Sequence, residues 1–79
     1  MVVGRADGRV GADVEIDDAS LSRRHAEFVA TPDGWELRDL GSTNGTRIAS
    51  VALAAGEARK VHEGDVLRFG SVEVRVDRR

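Results

Sequence analysis

A chain of 79 residues makes one domain, near the lower size at which a single core holds without staples; with no cysteine, neither a disulfide framework nor a thiolate metal site is available. The net charge of −2 excludes bulk electrostatic attraction to nucleic acid or anionic lipid, so any anion site has to be local. No apolar run approaches the length of a membrane span and Met1 to Gly8 lacks the apolar core of a signal peptide, so the expectation is a cytoplasmic domain spanning residues 1–79, with no nucleic-acid or membrane partner.

In chain order, Val2-Val3-Gly4-Arg5 reads as the end of a strand, Ala6 to Ala12 as a loop with glycines at 8 and 11, and Asp13 to Ile16 as one short alternating strand. Asp17 to Ser22 is a second polar loop. His25 to Thr31 and Trp35 to Leu40 alternate on either side of Pro32-Asp33-Gly34, whose preset φ, side-chain turn bond and positive-φ glycine signal a hairpin. Within it Ala26, Phe28 and Ala30 share a face, and Trp35, the only tryptophan, reads as a large core residue.

Beyond Gly45, Thr46-Arg47-Ile48 opens another strand, and the small apolar run Val51 to Gly56 permits a helical turn in an otherwise β-patterned chain. Ala58 to Val61 and Val66 to Phe69, around His62-Glu63-Gly64-Asp65, read as a second hairpin. Val72 to Val76 is the clearest alternating strand, its valines directed at a core and its charges at water. Short strands at even spacing, with no helix-period pattern, predict an all-β sandwich.

Folding the first hairpin brings its flanking loops, Ser20 to His25 and Asp39 to Thr46, to one end of a sheet. Ser22, Arg23, Thr43 and Asn44 then converge, a set of hydroxyl, amide and guanidinium donors suited to a cluster of anionic oxygens such as a phosphate. Eleven of the twelve basic residues are arginine, which favours bidentate contacts where they face a ligand, though for most of them base composition is explanation enough.

The ordered series Gly4-Arg5, Ser22-Arg23-Arg24-His25, Asp39-Leu40-Gly41-Ser42-Thr43-Asn44-Gly45-Thr46, Gly64-Asp65 and Gly70 resembles the forkhead-associated (FHA) domain over nearly the whole chain. The resemblance implies a twisted β-sandwich of the SMAD/FHA type, about eleven strands, whose loops at one end bind phosphothreonine in an extended peptide without catalysis, cofactor or metal. It implies that Arg5 and Ser22 hold the phosphate, that Arg23 adds a further contact, that Thr43 lies beside the phosphothreonine and that Asn44 bonds the peptide main chain. His25, Gly45 and Gly4 match positions that hold the loops in shape. The partner implied is a phosphothreonine-containing substrate of a Ser/Thr kinase.

The residue types agree with that assignment. Phosphothreonine carries a charge of about −1.5 to −2 and three strong acceptors, so its site needs fixed donors more than a deep cavity. Arg5 offers a permanently charged fork of N–H groups, Ser22 a short hydroxyl, and Asn44 both a donor and an acceptor for a peptide bond. Glycines at 41 and 45 let the loop turn tightly.

Other readings stand beside it. Ser22, His25 and Asp39 supply the residue types of a hydrolytic triad, but there is no Gly-x-Ser-x-Gly elbow and little room for a substrate pocket. The Gly41 to Thr46 loop lacks the Lys-Ser/Thr ending and following helix of a nucleotide cradle. Two distant histidines without cysteine argue against a metal site; His62 reads as an exposed turn residue, and Arg24, Arg47 and Arg68 as solvent-facing. A scaffold or oligomerisation module of the same fold is the main alternative: the family normally has a further strand before Gly-Arg, and a chain starting three residues upstream of it is either trimmed from a longer protein or has a sheet edge unpaired and open to self-association.

Overall fold

The structure, a computed structural model, describes residues 1–6 and 12–77. The loop expected around Gly8 and Gly11 lies outside the described residues. Among the described residues there are nine strands and no helix, against the eleven or so strands that the resemblance implies: β1 (Val2–Arg5), β2 (Val14–Ile16), β3 (Ala26–Thr31), β4 (Gly34–Asp39), β5 (Thr46–Ile48), β6 (Val51–Ala52), β7 (Ala58–Val61), β8 (Val66–Phe69) and β9 (Val72–Arg75).

They form a sandwich of two sheets. The first has the order β2-β1-β3-β4-β7, with β1 and β2 parallel and the remaining pairs antiparallel; the second is fully antiparallel, in the order β6-β5-β8-β9. Period-two alternation explains what lies between them. Val3, Ala26 and Leu37 point inward from the first sheet, Ile48, Leu67 and Phe69 from the second, and Leu21 and Leu53 close the core from the loops.

The hairpin predicted around Pro32 is formed by β3 and β4, with Thr31 opposite Gly34 so that Pro32 and Asp33 make a two-residue turn. Gly34 has φ of 145°, a conformation that other residues rarely adopt. The Thr31 hydroxyl donates to the Gly34 carbonyl, and Lys60 of β7 reaches the Asp33 carboxylate at 2.8 Å, which pulls that carboxyl below its usual range.

Two expectations are corrected, the second hairpin and the core placement of Trp35. β7 and β8 do not form a hairpin: β7 pairs with β4 in the first sheet and β8 with β5 and β9 in the second, so His62 to Asp65 carries the chain between layers. The Gly64 amide donates to the Val76 carbonyl and the Val76 amide to the Asp65 carbonyl, which starts the β8–β9 ladder straight after the turn. Alternation is identical for a hairpin and for a crossing between layers, so pattern alone does not distinguish them. Val51 and Ala52 form a two-residue strand against β5 rather than a helical turn.

Trp35 is not a core residue. It shares the inward face of β4 with Leu37, yet stays 51% exposed because it sits at the turn end of the hairpin, on the wall of an open hollow. With Met1, Phe28, Val61 and Val76 it borders an open apolar hollow of about 440 Å³ at the end of the sandwich opposite the Ser20 to His25 loop. The valines of β9 divide likewise: Val72 and Val76 pack on the core, whereas Val74 remains exposed.

The packing sets an order of stability. Phe69→Ala removes a fully buried ring and should cost about 3–5 kcal/mol, a large share of the roughly 5–15 kcal/mol that holds a domain of this kind. Trp35→Ala, despite the larger ring, should cost less than half as much. Urea denaturation of both variants checks this, and an equal loss in the two would contradict the half-exposed placement of Trp35.

Candidate functional site

At the opposite end of the sandwich, Arg5, Ser22, Arg23, Thr43 and Asn44 line a single open hollow of about 420 Å³ together with Ala19, Ser20 and Leu21. Three segments meet there: the end of β1, the loop between β2 and β3, and the β4–β5 loop. Some twenty residues of hairpin separate Ser22 from Thr43, and the hairpin itself places them side by side.

Gly4 and Arg5 reach the site because β1 is sewn to the Ser22 to His25 turn. The Arg5 amide donates to the Ser22 carbonyl at 2.9 Å and the His25 amide to the Val3 carbonyl at 2.8 Å. The approach is so close that a Cβ on Gly4 would lie 1.7 Å from the Arg23 carbonyl oxygen, so no other residue fits there. Gly4 thereby holds the turn that presents Ser22 and Arg23.

His25 is completely buried and joins the two loops. Its Nδ1 accepts the Ser22 backbone N–H at 3.0 Å, which fixes the tautomer: the proton is on Nε2, which donates to the Gly45 carbonyl at 2.7 Å. The same carbonyl accepts the Gly70 amide at 3.0 Å. Gly45 itself has φ of 89°, which turns its carbonyl inward and the Thr43-Asn44 backbone outward. Against the ring lies Phe69, edge on, with centroids 5.9 Å apart.

Direct bonds then close the loops on each other. The Thr43 amide donates to Ser22 Oγ at 3.0 Å, leaving the Ser22 hydroxyl proton for an acceptor in the hollow. Asn44 Nδ2 donates to the Ser20 carbonyl at 2.8 Å, leaving its Oδ1 and a second N–H. Arg5 is half-buried and Arg23 exposed, and among the described residues no carboxylate lines the hollow. In a chain of net charge −2 this is a locally cationic, donor-rich surface.

Sequence reasoning gave no binding-loop role to two residues that hold this geometry. Asp39, only 3% exposed, accepts four bonds: Ser42 Oγ at 2.5 Å and Thr46 Oγ1 at 2.7 Å on one oxygen, the Gly41 and Ser42 amides at 3.0 and 3.2 Å on the other. Burial pushes its carboxyl up, and the bonds from the Ser42 and Thr46 hydroxyls and the two amides outweigh that and hold it below the usual carboxylate range. Ser20 donates to Asp18 at 2.6 Å and accepts from the Ser71 amide and hydroxyl, both at 2.9 Å. The legible signal for both was the short spacing Asp-x-Gly-Ser and Asp-x-Ser, the mark of a side chain that caps its own turn.

A triad is not assembled from Ser22, His25 and Asp39. The imidazole bonds the Ser22 amide rather than its hydroxyl, and the Asp39 carboxylate is committed to Ser42, Thr46 and the Gly41 turn. His62 is exposed in its turn, and Arg24, Arg47 and Arg68 all face solvent. Among the described residues no helix is long and apolar enough to cross a membrane.

Comparison with known proteins gives a consistent picture. The FHA domain family model matches residues 1–70. The ABC transporter ATP-binding/permease protein Rv1747 of Mycobacterium tuberculosis is 36% identical over 72 residues, which are 91% of this chain and 8% of that protein. The chain thus spans a small fraction of that curated relative. A domain solved in work on phosphothreonine-dependent FHA domain interactions superimposes with a TM-score of 0.82 at 31% identity, covering 99% of this chain and 75% of the other. The FhaA FHA domain, solved in complex with the intracellular domain of Rv3910, superimposes with a TM-score of 0.75 at 32% identity, over 91% and 72% of the two chains.

The Asp39 network predicts an acid dependence. Because the carboxyl is held low in the fold, its contribution is complete above the unfolded-state value near pH 4 and is lost as pH falls through the lower folded-state value. Asp39→Asn turns an amide N–H₂ toward donors and should cost about 1–3 kcal/mol at pH 7, while flattening the loss of stability below pH 4. Chemical denaturation across that pH range reads both effects; an acid limb as steep as the parent's would rule out the assignment to Asp39.

Proposed function

This chain belongs to the FHA domain family, and we propose that it is a phosphothreonine-peptide reader that couples the output of a Ser/Thr kinase to a protein assembly in the cytoplasm. The observation that carries this reading is the hollow itself: two arginines, a hydroxyl whose proton is not used by the Thr43 bond and an amide with further bonding groups border one opening, with no acidic residue among the described residues that line it. Its relatives include domains studied for phosphothreonine-dependent interactions and one held in complex with a partner protein.

In this reading Arg5 and Ser22 take the phosphate oxygens, Arg23 adds a guanidinium from the rim, and Thr43 lies beside the phosphothreonine. Asn44 uses its remaining Oδ1 and N–H to hold the peptide main chain in register. Gly4, His25 and Gly45 keep the loops in place. Ala19 and Leu21 line the same hollow and offer a small apolar niche for the threonine methyl, which phosphoserine lacks; burying it is worth about 1 kcal/mol. The hollow at the other end is mainly apolar, and among the described residues the charged side chains that border it, Glu63 and Asp77, are acidic.

One observation favours a second reading, self-association through a sheet edge. β9 is the last strand of the second sheet, and its outer side has no partner strand among the described residues.

Fluorescence anisotropy against degenerate phosphothreonine, phosphoserine and unphosphorylated peptide pools tests the reader. Binding should be confined to the phosphothreonine pool, and should weaken as salt rises and as the phosphate protonates near pH 6. Arg5→Ala should cost about 2 kcal/mol, some thirtyfold in affinity, and Asn44→Ala about 1 kcal/mol with phosphate dependence retained. If both variants bind phosphopeptide as the parent does, the site lies elsewhere.

A further inference from the structure

Two serines line the hollow, and their chemistry differs. Ser22 accepts the Thr43 amide and keeps its hydroxyl proton for a ligand. Ser20 has no such group left. Its amide and its hydroxyl both donate to Asp18 Oδ1, at 2.9 and 2.6 Å, and its Oγ accepts the Ser71 amide and the Ser71 hydroxyl, both at 2.9 Å. One proton and two lone pairs are then all in use. The remaining polar group of Ser20, its carbonyl, accepts Asn44 Nδ2 at 2.8 Å.

The place of that carbonyl is set from outside the hollow. Gly70 and Ser71 of the β8–β9 turn are not among the residues that line it, yet both press on Ser20. A Cβ on Gly70 would lie 2.5 Å from the Ser20 carbonyl oxygen and 2.6 Å from its Oγ, and Gly70 has φ of 60°, so only glycine lets the turn close on this residue. Asp18 grips Ser20 from the other side through its own turn. The bonds from the Ser20 hydroxyl and amide hold the Asp18 carboxyl below its usual range, which keeps the acceptor ionised.

The consequence falls on Asn44. A carbonyl oxygen only accepts, so it has to face the N–H₂ side of the Asn44 amide. Oδ1, which has no partner among the described residues, is thereby left for a ligand together with one N–H. Without the Ser20 carbonyl in place the amide is free to turn over and offer two donors instead.

We infer that Ser20 is a positioning residue: Asp18 and the β8–β9 turn clamp its carbonyl, the carbonyl orients the Asn44 amide, and Oδ1 accepts a main-chain N–H of the peptide close to the phosphothreonine. The inference rests on the phosphopeptide reading and adds a selectivity to it. A peptide with proline at the position that Oδ1 reads has no N–H to give and is bound less well. The third loop, although it does not border the hollow, then helps to decide which peptides fit.

The test uses one phosphothreonine peptide chosen from the pool that binds, remade with single backbone amides replaced by esters, which removes one N–H at a time with little change of shape. By anisotropy, one ester position close to the phosphothreonine should cost the parent about fivefold in affinity, and proline there at least as much. In Asn44→Ala that penalty should vanish. In Ser20→Ala, and in Gly70→Ala, it should shrink to about twofold or less, while the preference for phosphorylated over unphosphorylated peptide is kept and shows that the loops are folded. In the free protein the two Asn44 side-chain N–H proton signals should be well separated by NMR, one of them shifted by its bond to Ser20, and should converge in Ser20→Ala. Ser71→Ala, which removes a single bond at an exposed residue, should move both readouts the same way by less; no movement there counts against the inference even where Ser20→Ala does not fold. If no pool binds, the phosphopeptide reading fails and this inference with it. Binding that is indifferent to every ester leaves that reading standing and overturns the role of Oδ1. An ester penalty as large in Ser20→Ala as in the parent, or Asn44 signals unmoved by that change, overturns the positioning role of Ser20.

Discussion

The arrangement of the binding loops depends on one buried imidazole. His25 has no contact with solvent, and its two ring nitrogens are spent on the backbone of two different loops, at Ser22 and at Gly45. The Gly45 carbonyl is shared with Gly70, so the same few atoms bind the β2–β3 loop, the β4–β5 loop and the β8–β9 turn. Asp39 performs the same task from beneath the second loop with four accepted bonds, and Ser20 from the side of the third. Loops held this way lose little freedom when a ligand arrives, and the donors around the hollow stand ready without rearrangement. In the proposed reading, preorganisation would let a shallow, solvent-open surface hold a dianion, where a flexible cluster of arginines would have to be ordered during binding.

The charge distribution fits the same logic. A domain of net charge −2 gains no long-range steering toward phosphate, and at physiological salt a field is screened within about 8 Å. In the proposed reading, recognition therefore rests on Arg5, Arg23 and neutral donors at contact distance. The two ends of the sandwich are chemically opposite: polar and cationic at the loops, apolar at the hollow around Trp35. They share a floor. Phe69 meets His25 edge on and Phe28 at a centroid distance of 6.4 Å, and Phe28 in turn borders the apolar hollow. Rings packed in this way resist shear between the sheets, which keeps the loop end rigid although the opposite end is open.

What was legible in the sequence was local. Pro32 to Gly34 specified a hairpin because its turn chemistry is self-contained, and the hairpin alone implied that Ser22 and Thr43 become neighbours. The strand–layer assignment of Ala58 to Phe69 was not legible, because partner choice is decided by which layer has an open position, and both outcomes need the same alternation. Trp35 failed for a related reason: alternation gives its face, but not that this end of the sandwich is an open hollow. Asp39 was visible as a turn residue, whereas its burial under the β4–β5 loop depends on Thr46, seven residues away, turning its hydroxyl inward.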